Sequence, residues 1–284
     1  MEEKTQSLDS TIDNFMSVTG KSKVAVVVPL YGFWGDIPDN PVNGEVLKVA
    51  LDRLYSNVHQ LYIIFVAHPQ SIPNNMNDPN SVANILLGKS KMGNTKNISV
   101  SRTASYTEYV NEGIDYAINE TNAQFMVVFN PWVMIQEGGL DSLIDRANRA
   151  DDAKVVSGYD LRMAIEPENF DSYVNYTPSE EWDFSFNLVA MPRFVAEQVS
   201  LDPNYKTHVF LERDIWQQVA MRNFAVISTQ RVPIFPFDFP WNEYEKRKEF
   251  EADKQYFIKK WSFDPGLNYK DPSGKSRRDK AGAR

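Results

Sequence analysis

Residues Lys23 to Leu30, KVAVVVPL, decide the architecture. From Val24 to Val28 the run is apolar at every position. A strand with no polar alternation is covered on both faces, so it belongs inside a parallel sheet clad by helices. Pro29 closes the run because it has no N–H to give to a ladder. Working outward, two more such runs occur: Leu61 to Val66, stopped at His68-Pro69, and Phe125 to Phe129, broken by Pro131. Between them Val46, Leu47, Val49, Ala50, Leu51, Leu54 and Tyr55 recur at helical spacing. Thr107 to Asn119 reads as a helix with Tyr109, Val110, Ile114 and Ala117 on one side, and Leu140 to Ala150 as another. Ile98–Val100 and Lys154–Gly158 read as strands. Residues 69–97 read mostly as loop, with a short helix at Val82–Leu87. Strands alternating with helices predict an α/β fold with a mostly parallel sheet. From Met163 to Trp182 the chain turns acidic and loop-like, and after that strands and helices mix less regularly.

The chain has 284 residues, of which 42 % are hydrophobic and 13 % aromatic, enough to bury a substantial core. Lys and Arg number 30 against 38 Asp and Glu, a net charge of −8 that argues against nucleic-acid binding. The exception is Lys270 to Arg284, a short basic tail with Lys275, Arg277, Arg278 and Lys280, read as a solvated terminus. Cysteine is absent, which excludes disulfides, Cys-ligated zinc and a thiol nucleophile. The opening MEEKTQSLDSTIDNF has neither the basic start nor the apolar run of a signal peptide. No stretch reaches the roughly 18 apolar residues of a membrane span, and the expected location is the cytoplasm. No Gly-x-Ser-x-Gly elbow, phosphate-binding Gly-Lys-Ser/Thr loop, His-Glu-x-x-His or dinucleotide fingerprint is present.

The order of elements resembles the GT-A glycosyltransferases, in particular the large inverting family 2 of synthase-like enzymes. KVAVVVPL is similar to that family's opening strand, and Thr107–Ala117, TEYVNEGIDYA, to its Asn-x-Gly helix, with Asn111 and Gly113 at the matching places. Gln124–Asn130 followed by Gly138-Gly139-Leu140 resembles the strand that carries the metal motif and the turn after it. Asn187–Arg193, NLVAMPR, is similar to a segment ending in a basic residue before a helix. Leu211–Val219, LERDIWQQV, is similar to the acidic motif at a helix start, and Tyr256–Trp261, YFIKKW, to a common family ending. The resemblance spans about residues 23–262. It implies one GT-A-like domain at 22–262, and composition sets a polar leader at 1–21 before it and a flexible basic tail at 263–284 after it. Within the domain, 22–160 forms the nucleotide-binding half and 161–262 the mixed acceptor half.

It also implies a function: hexosyl transfer from a nucleotide-diphosphate sugar to a saccharide or other hydroxyl acceptor, with inversion. The base is then Glu212, with Asp214 the second choice; the alternative is that acidic residues there serve the dipole of a helix N-terminus. Donor contacts fall on Pro29, Tyr31, His68, Asn111, Asn130, Trp132 and Arg193. Arg213, Arg162 and Lys154 are further cations that can neutralise the leaving diphosphate, although each is ordinarily a surface charge. Phe33 and Trp34, with Tyr31, can stack on a base, a sugar or a partner protein. His59 and His208 have no metal-ligand partner at a telling spacing.

Two departures from the family are marked. Acidic residues expected after the second strand are replaced by Val66-Ala67-His68-Pro69. Where Asp-x-Asp carboxylates hold Mg²⁺ or Mn²⁺, this chain has Asn130-Pro131-Trp132, with one neutral carbonyl oxygen among its side chains. The degenerate motif predicts no family-type metal site, at most weak Mn or Mg binding along with the donor, and Trp132 filling the vacated space. A second reading follows, in which the chain is a catalytically inactive GT-A-like binding or structural module.

Overall fold

The computed structural model describes residues 22–31, 42–68, 94–101, 104–148, 154–160, 171–173, 186–206, 208–236 and 243–264. The expected leader and basic tail, Phe33, Trp34, Arg162 and the short helix at 82–87 lie outside them. Nine strands form one sheet: β1 (Lys23–Pro29), β2 (Gln60–Ala67), β3 (Thr95–Ser99), β4 (Phe125–Phe129), β5 (Val133–Ile135), β6 (Lys154–Asp160), β7 (Asp171–Tyr173), β8 (Leu188–Pro192) and β9 (Ala225–Pro236). Among the described residues six helices accompany them: α1 (Val42–Asp52), α2 (Tyr106–Glu120), α3 (Gly139–Asn148), α4 (Arg193–Ala196), α5 (His208–Met221) and α6 (Glu243–Trp261).

The sheet order is β3-β2-β1-β4-β8-β6-β9-β5, with β7 also on β9. The first four strands are parallel, with Val24 opposite both Leu61 and Phe125. β8 runs antiparallel between β4 and β6, and β9 returns parallel to β6. The mixed second half anticipated from the sequence is therefore continuous with the parallel half, in one sheet.

The unbroken apolar run of β1 has its explanation in two core layers. Ala25 and Val27 point with Ile64, Val66, Met126 and Val128 into the layer under α2, α5 and α6. Val24, Val26 and Val28 point with Phe65, Val127 and Phe129 into the layer under α1 and α3. Successive strand residues face opposite sides, so a strand clad on both must be apolar throughout. Each valine so buried contributes roughly 1.5–3 kcal/mol.

Helix α2 lies close on this sheet because Gly113 has no side chain. A Cβ there would fall 2.3 Å from Val27 Cγ1 and 3.0 Å from Val66 Cγ2. The helix starts with a capping box, Ser105 and Glu108 each bonding the other's backbone N–H. Before α3, Gly138 takes φ 71°, the left-handed conformation glycine adopts without a Cβ clash.

One sequence expectation is corrected. The LERD segment does not open a helix: α5 begins at His208, and its first turn holds no acidic residue. Attraction to a helix N-terminus, which is confined to the first turn, therefore does not account for Glu212 or Asp214. Strands β5, β7 and β9 were not among the expected elements.

Candidate functional site

Because β1, β2 and β4 are parallel and β8 opposes them, Tyr31, His68, Asn130 and Asn187 come to one edge of the sheet. The carboxyl edge of a parallel sheet is where open α/β folds bind ligands. At the end of β4, buried Asn130 donates its backbone N–H to the Asn187 carbonyl at 2.8 Å and its Nδ2 to Asn187 Oδ1 at 3.1 Å. Its Oδ1 accepts the Trp132 N–H at 3.3 Å. Half-buried Trp132 packs on the core layer under α1 and α3.

One residue before Asn187, the N–H of Phe186 donates to Glu212 Oε1 at 2.8 Å. Glu212 reaches the strand edge from α5, so a continuous line of polar contacts runs from Glu212 through Phe186 and Asn187 to Asn130. Beside it stands a tyrosine cluster. Half-buried Tyr31 meets Tyr106 and Tyr109 edge-on, with ring centroids 6.0 and 5.5 Å apart. Burial, then the negative charge of Glu212, pushes the Tyr106 hydroxyl pKa well up. Burial, then the charge of Glu249 on α6, raises that of Tyr31. Tyr109 is pushed up to about 12 by burial and by Tyr31. Phenols held neutral beside carboxylates are hydrogen-bond donors at any physiological pH. The charges of two carboxylates from two helices thus act on hydroxyls of the same aromatic group. Glu249 was invisible in the sequence, where it lies among Lys and Glu residues that carry no motif.

Of the other expected residues, Pro29 and His68 lie at this edge, and the rest stand apart from it. Pro29 is buried in β1 opposite Val66. Half-buried His68 follows β2 at the same edge. Asn111 is occupied on α2, where Nδ2 donates to the Leu201 carbonyl at 2.7 Å and Oδ1 accepts the Leu201 N–H at 3.0 Å. Arg193 stands at the opposite sheet edge, next to the start of β4. There its guanidinium caps the C-terminal end of α2 through the carbonyls of Ile118 and Thr121 (2.9 Å) and pairs with Glu197 at 2.8 Å. Lys154 begins β6 at that same opposite edge. Arg213 is buried within α5. His59 is buried 3.6 Å from Asp145, beside α3.

Asp214 is two residues from Glu212 but on the other side of α5, since successive helical residues turn by about 100°. It is fully buried and accepts from Tyr205 Oη (3.2 Å), Trp261 Nε1 (2.8 Å) and Gln218 Nε2 (2.7 Å), with Lys260 Nζ at 2.7 Å. The structure brings Glu212 to the carboxyl edge and does not bring Asp214 there.

The residues at the end of β4 do not fit a divalent ion of the family type. Asn130 has both side-chain polar atoms engaged, the Pro131 side chain has no ligand atom, and that of Trp132 offers only a donor. Among the described residues, no group of three or more His, Asp or Glu is placed to hold a metal. No helix among them is long and apolar enough to cross a membrane.

No protein-family model and no curated protein matches the chain. Among solved structures it is similar to the mannosyltransferase PcManGT from Pyrobaculum calidifontis, in complex with GDP-Man and Mn²⁺. The identity is 12 % and the TM-score 0.53, over 90 % of this chain and 68 % of that one. At that identity the likeness is one of fold: the chain has a glycosyltransferase-like α/β fold.

Proposed function

We propose that this protein is a GT-A-type glycosyltransferase that moves a sugar from a nucleotide-diphosphate sugar to a hydroxyl acceptor with inversion. The observation that supports this most directly is Glu212, held by the Phe186 amide at the carboxyl edge, beside Tyr106 and the end of β4. Glu212 takes the proton from the acceptor hydroxyl as its oxygen attacks the sugar's C1. The new C–O bond forms as the bond from C1 to the diphosphate oxygen breaks, and the diphosphate leaves with that electron pair. Tyr31 offers a ring for stacking and a neutral hydroxyl that can donate to sugar or phosphate oxygens. Asn130 is a positioning residue in this reading, tying the end of β4 to Asn187 and so to Glu212.

The test is release of nucleoside diphosphate from a panel of donors, followed by the anomeric configuration of the product. Glu212→Gln keeps an acceptor for Phe186 and removes the base, so turnover should fall by about 10²–10⁴-fold while the melting temperature holds. Undiminished turnover in that variant, or a retained anomeric configuration, would refute the assignment. One observation favours the second reading, a binding module without transfer chemistry: the Asn130-Pro131-Trp132 sequence at the family's metal position. That reading predicts no turnover with any donor.

A further inference from the structure

We propose that the C-terminal end of α6 is a positioning clamp for Glu212, with Lys260 and Trp261 fixing helix α5 through Asp214. The inference rests on the reading of Glu212 as the base. Glu212 and Asp214 leave α5 on opposite sides, one toward the Phe186 amide and one toward α6. Any roll or slide of α5 moves both carboxylates together. Apolar packing tolerates small slides, whereas a buried carboxylate with several fixed donors has one favourable geometry.

Asp214 has such a geometry. Its four partners come from three parts of the chain: Tyr205 from the segment before α5, Gln218 from α5 itself, and Lys260 and Trp261 from α6. Lys260 also bonds Asp202 at 2.7 Å, and its Nζ lies 5.6 Å from the Tyr205 ring centroid and 5.4 Å from that of Trp261. Asp202 in turn accepts the Tyr256 hydroxyl at 2.9 Å and the Asn204 N–H at 3.0 Å. The next residue back, Leu201, is held at both backbone groups by Asn111 of α2. Helices α2, α5 and α6 are thereby joined at one charged knot. Burial alone would lower the Lys260 pKa, and the bonds to Asp202 and Asp214 outweigh it and hold it above its usual value. The same α6 carries Glu249, whose charge acts on the Tyr31 hydroxyl.

The test compares Lys260→Met with Lys260→Arg by hydrogen exchange at the Phe186 amide and by donor turnover. In Lys260→Met the Phe186 amide should exchange roughly tenfold faster, while the amides of β1 and β2 keep their protection. The kcat should fall roughly tenfold with donor KM unchanged. Lys260→Arg, which can bridge both carboxylates, should restore both. Unchanged exchange at Phe186, or equal acceleration throughout the sheet, would overturn the clamp. Should Lys260→Met fail to fold, Trp261→Phe removes one donor to Asp214 and is read the same way. Should the wild-type protein turn over no donor, the functional reading fails, and the exchange measurement alone still decides the clamp.

Discussion

The two acidic residues of LERD show how much one helical step decides. Their spacing in sequence does not say which side of α5 faces the sheet edge, so both stood as base candidates, with Glu212 preferred. Only the packing of α5 against α6 separates them. They should also differ in what they do for stability. Asp214→Ala leaves Lys260 and Trp261 facing an empty position and should cost about 3–5 kcal/mol in chemical denaturation. Glu212→Gln preserves the bond from Phe186 and should change stability by no more than about 1 kcal/mol. Gly113 makes a second residue-scale case. The Asn-x-Gly pair was legible as a motif, and the structure gives its physical reason: Asn111 ties down Leu201, and Gly113 lets α2 touch Val27. Gly113→Ala should lower the unfolding free energy by about 1–3 kcal/mol, since the added methyl forces α2 away from β1. A melting temperature equal to wild type would contradict that packing.

Among the elements, β1, β2 and β4 were readable because strands clad on both faces carry apolar residues without interruption. β5 and β7, of three residues each, are too short to show a period. β9 holds Ser228-Thr229-Gln230-Arg231 and Pro233, a stretch without an apolar period; it pairs with β6 across a bulge at Gly158/Tyr159. Glu249 was missed for a related reason: its place beside Tyr31 comes from where α6 docks. The start of α2 supports an element-scale prediction. Ser105→Ala removes the cap and should cost about 1 kcal/mol. Hydrogen bonds from the Ser105 backbone and side chain hold the Glu108 carboxyl below its ordinary 4.5. A depressed carboxyl stabilises above its unfolded pKa, and that contribution is lost as pH falls through the lower folded value. The gap in melting temperature between Ser105→Ala and wild type should therefore narrow below about pH 4.5 and stay constant above it.

Over the whole molecule, the raised groups predict an alkaline limit. Tyr31, Tyr106 and Tyr109 are held neutral mainly by burial, and Tyr205 by burial and then by Asp214. Groups with raised folded pKa values stabilise fully below their unfolded pKa, 10.0 for these phenols, and lose that contribution as pH rises through the folded values. Lys260, raised from 10.5, acts in the same direction. The thermal midpoint should hold through neutral pH and fall beyond about pH 10. Part of the phenolate absorbance should then emerge only as circular dichroism is lost. Phenolate absorbance complete while the dichroism remains intact would show that these tyrosines are not buried as described.

The fold class was legible because alternation and apolar runs are local. The site was legible only in part, because it is assembled from the ends of β1, β4 and β8 with side chains of α2, α5 and α6, and that assembly is a property of the packed whole. The most direct test of the central claim is a thermal-shift titration of the intact protein with GDP-, UDP-, CMP- and dTDP-sugars, each with Mn²⁺, Mg²⁺ or EDTA. A donor at a hundred times its dissociation constant should add about 2.7 kcal/mol of stability. Stabilisation by one nucleotide class is expected, persisting in EDTA because the end of β4 offers no carboxylate pair to a metal. No stabilisation by any donor under any condition would contradict it.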